Sequence, residues 1–273
     1  MAKIKKAYFC KECGFEAPKW LGHCPSCGAW NSFTEEVIAR ENASPVTALT
    51  GNRPRSKPQR VREIEQSEQR RFDLSCTEVN RVLGGGLIRG SMILLGGEPG
   101  IGKSTIIIQT AANIASRGGT VLYVSGEESE EQIKLRADRV CREIPQNLYV
   151  LAETNMENVA AACENSKPDF LIIDSIQTMY SDQLDSAPGS VSQVRMCGNQ
   201  LMKLGKTKNI PIFIVAHVTK SGDLAGPKTV EHLVDCVLNF TGERDQEFRV
   251  MRAYKNRFGT TSEIGAFRME SEG

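Results

Sequence analysis

No stretch of this 273-residue sequence approaches the run of about 18 apolar residues that a membrane-spanning helix needs, so no membrane partner is expected. The N-terminus, MAKIKKAYFC, is basic but has no apolar h-region behind it. A secretory signal is therefore not read there, and a cytoplasmic address is expected. No internal repeat is visible at any useful period, which excludes a repeat array. Wholesale disorder is excluded too, because 40% of residues are apolar and 25% charged. Nor is there a strong excess of one charge, the net being +1. The balance is uneven, however. Residues 1–72 carry 13 Lys/Arg against 8 Asp/Glu. A mildly basic N-terminal region suits an acidic partner such as nucleic acid, and suits a solvated linker equally well.

Nine cysteines in a cytosolic chain do not read as a disulfide framework. Cys76, Cys141, Cys163, Cys197 and Cys236 are scattered through apolar stretches and read as small core residues. Cys10, Cys13, Cys24 and Cys27 are different. They form two Cys-x-x-Cys pairs ten residues apart, FCKECG and HCPSCG, each followed by glycine. That spacing brings four thiolates onto two turns, as a tetrahedral structural zinc requires. So short a segment has too little core to fold unaided, so metal binding is expected to be coupled to folding. His23 adjoins Cys24, but four cysteines already close the site, and it is read as a turn residue. The expected organisation is a zinc ribbon over 1–33, a flexible linker rich in proline and basic residues over 34–66, and a catalytic core over 67–273.

From about Arg70 short apolar runs alternate with amphipathic segments, the pattern of an α/β protein with a mostly parallel sheet. Strands are expected at 91–97, 120–126, 148–151, 169–174 and 210–217, and helices at 103–117, 129–142, 155–166 and 191–207. The tail segments 233–240, 247–256 and 263–269 alternate like antiparallel edge strands.

GEPGIGKS follows the first of these strands and opens the first helix, which is the context of a phosphate-binding loop. Gly97, Glu98, Pro99, Gly100, Ile101, Gly102, Lys103, Ser104 and Thr105 are the expected nucleotide cradle. Lys103 is placed on the β/γ-phosphate oxygens and Ser104 on Mg²⁺. Asp174 ends the apolar run FLIID at the strand edge where such sheets hold ligands, and reads as a second anchor for Mg²⁺. Glu127 and Glu128 follow the strand TVLYVS. One of them is expected to activate the attacking water, with Glu127 favoured because it lies nearer the strand edge. Acids also suit the start of the following helix. His217 ends another strand and is expected to contact the γ-phosphate, unless it is a hydrogen-bonded core histidine.

LGGGLIRGSMILLGGEPGIGKSTIIIQ, VLYVSGEES, FLIIDSIQT and IVAHVTKSGDLAGPKTVEHLVDCVLNF, with the four-cysteine ribbon and the pentapeptide KNRFG, together resemble the bacterial DNA-repair family RadA, also called Sms. The resemblance covers almost the whole chain. It implies a RecA-like P-loop ATPase core related to hexameric replicative helicases, acting on single-stranded and branched DNA in homologous recombination with a recombinase. It also implies a hexameric ring in which Lys255 and Arg257 of KNRFG reach the neighbouring subunit's γ-phosphate. A solvated hairpin tip is the plainer reading of that pair. The loops after Asp174 and His217 would face the ring's channel, offering Lys220 and Lys228 to DNA. Family members continue into a Lon-like C-terminal domain that aids ring assembly, and this sequence ends about where that domain would begin. Competing functions are a protein-directed signalling ATPase of the same superfamily and a nucleotide-switched adaptor.

Overall fold

A computed structural model describes residues 5–38, 60, 62, 71–217, 229–242 and 247–270. Its larger sheet contains β4 (Met92–Gly97), β5 (Val121–Ser125), β6 (Leu148–Ala152), β7 (Phe170–Asp174), β8 (Ile212–His217), β9 (Cys236–Thr241), β10 (Phe248–Asn256) and β11 (Ile264–Arg268). The strands lie in the order β11-β10-β9-β4-β8-β7-β5-β6. The sheet is parallel from β9 to β6, and β10 and β11 close the other edge antiparallel. One expectation is corrected here. The segment 233–240 is expected to be an antiparallel edge strand, but β9 lies inside the sheet, parallel to β4 on one side and antiparallel to β10 on the other, and only β10 reverses direction. The short helix α6 (Thr229–Leu233), absent from the sequence reading, precedes β9.

Helices α1 (Thr77–Val82), α2 (Lys103–Ser116) and α3 (Glu130–Val140) cover one face of the sheet. Helices α4 (Met156–Ser166), α5 (Val191–Lys208) and α6 cover the other. Alternate residues of each central strand feed opposite cores: Ile93, Leu95, Ile172 and Val215 pack on the first, and Leu94, Leu171, Ile173 and Ile214 on the second. Both faces are buried, so these strands read as unbroken apolar runs. Each such Leu, Ile or Val contributes about 1.5–3 kcal/mol on burial. The two cores together dominate the stability of this part of the chain.

The parallel strands bring their carboxyl ends to one edge. Register sets Gly97 beside His217 and Ser125 beside Asp174. The residues singled out from the sequence at 97–105, 127, 174 and 217 therefore meet at one crevice.

A second, three-stranded antiparallel sheet holds β1 (Lys5–Cys10), β2 (Glu16–Ala17) and β3 (Phe33–Ile38) in the order β2-β1-β3. β3 pairs with β1 along its length, from Cys10↔Phe33 to Lys5↔Ile38. The expected boundary at 33/34 is thus displaced, because residues 34–38 are strand, their backbone groups paired with β1. The rest of the expected linker, apart from Arg60 and Arg62, lies outside the described residues.

Candidate functional site

β4 delivers the chain at Gly97 and α2 takes it up at Lys103, with a turn between them. Gly100 and Gly102 hold φ of 78° and 109°, a backbone form that L side chains rarely adopt. Gly102 is the N-cap of α2, where no side chain accepts from the first N–H groups and no acid occupies the first turn. A 14-residue helix with uncapped donors at its positive end is a receptor for an anionic phosphate chain.

Lys103 is almost fully buried. Its ammonium donates to the carbonyls of Gly97 (2.8 Å) and Glu98 (2.9 Å) and lies 3.4 Å from His217 Nδ1. Burial pulls its pKa below the ordinary lysine value, and the charges of Asp174 and Glu127 oppose that pull. An ammonium has only donors to offer, so His217 Nδ1 accepts. The ring proton is then on Nε2, which lies 3.0 and 3.1 Å from the two carboxylate oxygens of Glu127. Ser175 Oγ donates to the same carboxylate at 2.5 Å. The His217 bond first, then Ser175, lower the Glu127 pKa, with burial opposing.

Glu128 turns the other way. Its carboxylate forms a two-pronged ion pair with Arg136 of α3. The N–H of Glu128 donates to Ser125 Oγ at 2.9 Å, fixing the turn that separates the two acids. Of these two neighbouring acids, Glu127 is therefore the one that shares the crevice with Lys103.

Asp174, 6% exposed, receives Ser104 Oγ at 2.9 Å and the Tyr123 hydroxyl at 2.6 Å, both on Oδ2. Ser104 gives its one proton to Asp174, so its lone pairs remain for a cation. A hydroxyl and a carboxylate converging beside a phosphate cradle suit Mg²⁺, which takes one or two protein oxygens and keeps several waters.

In the ribbon, Gly14 N–H donates to Cys10 O and Gly28 N–H to Cys24 O, closing the two cysteine turns. The four Sγ atoms all lie within 4.8 Å of one another, with Cys10–Cys27 at 3.6 Å and Cys13–Cys24 at 3.5 Å. A tetrahedral Zn–S₄ centre with bonds of about 2.3 Å sets its sulfurs about 3.8 Å apart, so the donor set fits. Burial, and then the neighbouring sulfurs, push the Cys13 thiol up to about 12, and a cation is what allows such a group to ionise. Among the described residues the ribbon buries just six apolar side chains, Ala7, Phe9, Cys10, Ala17, Cys24 and Phe33, two of them cysteine ligands themselves. Burying one Phe gains about 1.5–3 kcal/mol, against about 1–2 kcal/mol to order each residue's backbone. The metal must supply the difference. His23 instead packs against Trp30, the ring centroids 4.9 Å apart and the planes tilted by 57°.

Residues 57–223 match the sequence family described as AAA domain. The chain belongs to that family. Residues 8–35 match the rubredoxin metal binding domain. Over its full length the chain is 52% identical to "DNA repair protein RadA" of Bacillus subtilis and 53% identical to that of Streptococcus pyogenes serotype M6. It covers 60% and 59% of those two proteins, so it spans about three-fifths of the relatives it matches. The resemblance drawn from the motifs thus extends over the whole chain. A solved structure titled as an ATPase domain aligns with a TM-score of 0.62 at 13% identity, over 75% of this chain and 90% of that one, and shows the RecA-like fold alone.

Around this AAA domain the remaining sequence candidates divide. Lys255 lies beside Val237 near the end of β10, and the N–H of Arg257, just past it, donates to Asp235 O ahead of β9, so both lie at the opposite end of the sheet from Gly97. Lys255 Nζ donates to Glu231 O at 2.7 Å, and Arg257, exposed, pairs with Asp235 at 3.1 Å. The pair does not join its own chain's nucleotide crevice. Lys220 and Lys228 lie outside the described residues. Sequence reasoning missed Tyr123, Ser175 and Arg136, which hold Asp174, Glu127 and Glu128. Tyr123 looked like core, and Ser175 carried no signal beyond its place after Asp174. Gln193 was missed as well. Almost fully buried, it ties the loop 175–190 together by donating to the carbonyls of Leu184 and Ser186, both at 3.0 Å.

Proposed function

We propose that this chain is a DNA-dependent, Mg²⁺-requiring ATPase of DNA repair and homologous recombination. The observation that carries the ATPase part is the Lys103–His217–Glu127 contact chain beside the Ser104–Asp174 pair, at the mouth of an uncapped helix. In this reading residues 97–105 cradle ATP, and Lys103 leaves the Gly97 and Glu98 carbonyls for the β/γ-phosphates. Bound Mg²⁺ neutralises phosphate charge, and Ser104 and Asp174 would hold it. Glu127 orients the attacking water and takes its proton. His217, released from Lys103, swings its Nε2–H from Glu127 to the γ-phosphate and reports its presence to the segment that follows β8. As that contact with Glu127 loosens, the carboxylate becomes a stronger base. Zinc fills the four-cysteine ribbon.

The DNA part is supported by the relatives' title, DNA repair, and by the basic N-terminal region. The proposal extends to a hexameric ring of cytoplasmic subunits. In it Lys255 and Arg257 would serve the neighbour's γ-phosphate and Lys220 and Lys228 would contact single-stranded or branched DNA, with a recombinase as partner. Being remote from the crevice of their own chain, Lys255 and Arg257 have a catalytic use only across such a boundary. The test is ATP turnover with and without single-stranded DNA across a salt series. Stimulation that weakens steeply with salt is expected. Turnover indifferent to DNA at every salt concentration would favour the protein-directed reading. Nucleotide binding without turnover would favour an adaptor.

A further inference from the structure

Strand β5 reads Val-Leu-Tyr-Val-Ser, and its central side chain is fully buried. Tyr123 packs in the core under α2 and α3 with Ile107, Ile133 and Phe170 among the same apolar cluster. A phenylalanine would fill this space without taking a hydroxyl out of water, which costs about 1–3 kcal/mol unless the group is bonded. The hydroxyl is bonded, and to one acceptor: it donates to Asp174 Oδ2 at 2.6 Å. A phenol facing a carboxylate has only its O–H to offer, so Tyr123 is the donor of this bond.

We propose that Tyr123 is a positioning residue for the divalent metal, acting through Asp174. This rests on the reading of Ser104 and Asp174 as the Mg²⁺ anchors. Two donors, Tyr123 from the strand next to β7 and Ser104 from the helix above, converge on Oδ2. Together they fix the carboxylate's rotation and leave Oδ1 for a metal-bound water. Ser104 belongs to the phosphate cradle and has its own lone pairs to give the metal, so a second donor outside the cradle holds the carboxylate independently of it. Tyr123 is anchored in the core, so its bond holds Asp174 in place whether or not nucleotide is bound.

The experiment is titration of a fluorescent ADP analogue, in EDTA and at rising Mg²⁺, on the wild-type chain and on Tyr123→Phe, Asp174→Asn and the double variant. Tyr123→Phe keeps the ring and its packing. Expected results are unchanged affinity in EDTA and a Mg²⁺ concentration for half-maximal enhancement raised about tenfold, the loss of one hydrogen bond to a charged group. Added to Asp174→Asn, the same change should have no further effect. An unaltered Mg²⁺ dependence, equal losses in EDTA and Mg²⁺, or full additivity in the double variant would each overturn the proposal. Wild-type affinity that ignores Mg²⁺ would instead remove the anchor reading beneath it, and Asp174→Asn identifies that outcome separately.

Discussion

Glu127 accepts from His217 and Ser175 at once, and its chemistry follows from that. Its lowered pKa keeps it a carboxylate at every pH above the ordinary 4.5. Because the folded value is depressed, the stabilisation it gives is complete above 4.5 and is lost as pH falls through the lowered value. His217→Ala removes the largest cause of that shift, so the Glu127 titration should move upward; carbon NMR of labelled glutamate would register it. No movement would mean that His217 does not hold the carboxylate in solution. For turnover, Glu127→Gln should bind ATP and hydrolyse it about 10²–10⁴-fold more slowly, whereas Glu128→Gln, losing only the Arg136 pair, should remain active. The reverse order would transfer the base role to Glu128. Lys103→Ala should weaken ATP binding itself, which equilibrium titration measures. Which acid faces Lys103 was not legible in sequence, since 127 and 128 are neighbours at the same strand edge. The His217 ring at the end of β8 and the reach of Arg136 from α3 separate them.

Among the connecting elements, the turn 84–86 shows how backbone form sets a position. Its three glycines have φ of 81°, 109° and 119°. A Cβ at Gly86 would stand 2.4 Å from Phe72 O, and Gly84 packs within 3.3 Å, measured from a Cβ, of Gly259 in the KNRFG turn. Arg71 seals the contact by donating to Phe258 O at 2.8 Å. Gly118 offers a contrast, with φ of 90° and nothing within 4 Å of a Cβ. Gly118→Ala should cost about 1–2 kcal/mol in urea unfolding from backbone strain alone. Gly86→Ala should cost at least about 2 kcal/mol more, because the Phe72 carbonyl must also move. Equal costs would show that the turn yields freely. The central strands and long helices were legible from periodicity because both faces of each strand are buried. The direction of β9 was not, because a strand's own pattern does not state its neighbour.

Across the whole molecule, the ribbon and the AAA domain touch at the start of α5. Glu36 of β3 accepts from Ser192 N–H (3.3 Å) and Oγ, and Arg195 donates to Gly14 O, in the first cysteine turn, at 3.2 Å. Cys24→Ala should release about one equivalent of metal, read by elemental analysis, and should speed amide exchange at 192–195 as Glu36 lets go. Nucleotide affinity should survive, since the two cores of the large sheet contain no ribbon residue. Loss of ATP binding would make the ribbon part of the nucleotide site. A second test addresses assembly. Arg257→Ala and Lys103→Ala chains, each inactive alone, should recover part of their turnover when mixed, provided an intact loop then faces an intact arginine. No recovery at any ratio, under conditions where wild-type chains assemble, would leave Arg257 as only the partner of Asp235.

By itself the sequence determined the elements and the chemical types: four thiols at ribbon spacing, a glycine-rich turn between strand and helix, and acids and a histidine at strand ends. These are local, written in spacing and period. Only the tertiary structure decided which groups meet. Tyr123 is an apolar-strand residue until β7 sets Asp174 beside it, and Arg195 is one more helix cation until Gly14 arrives from nearly the other end of the chain. Contacts of that kind depend on strand order and packing depth. Neither is encoded in any single stretch of residues, because both arise from burying two apolar faces of one sheet at once.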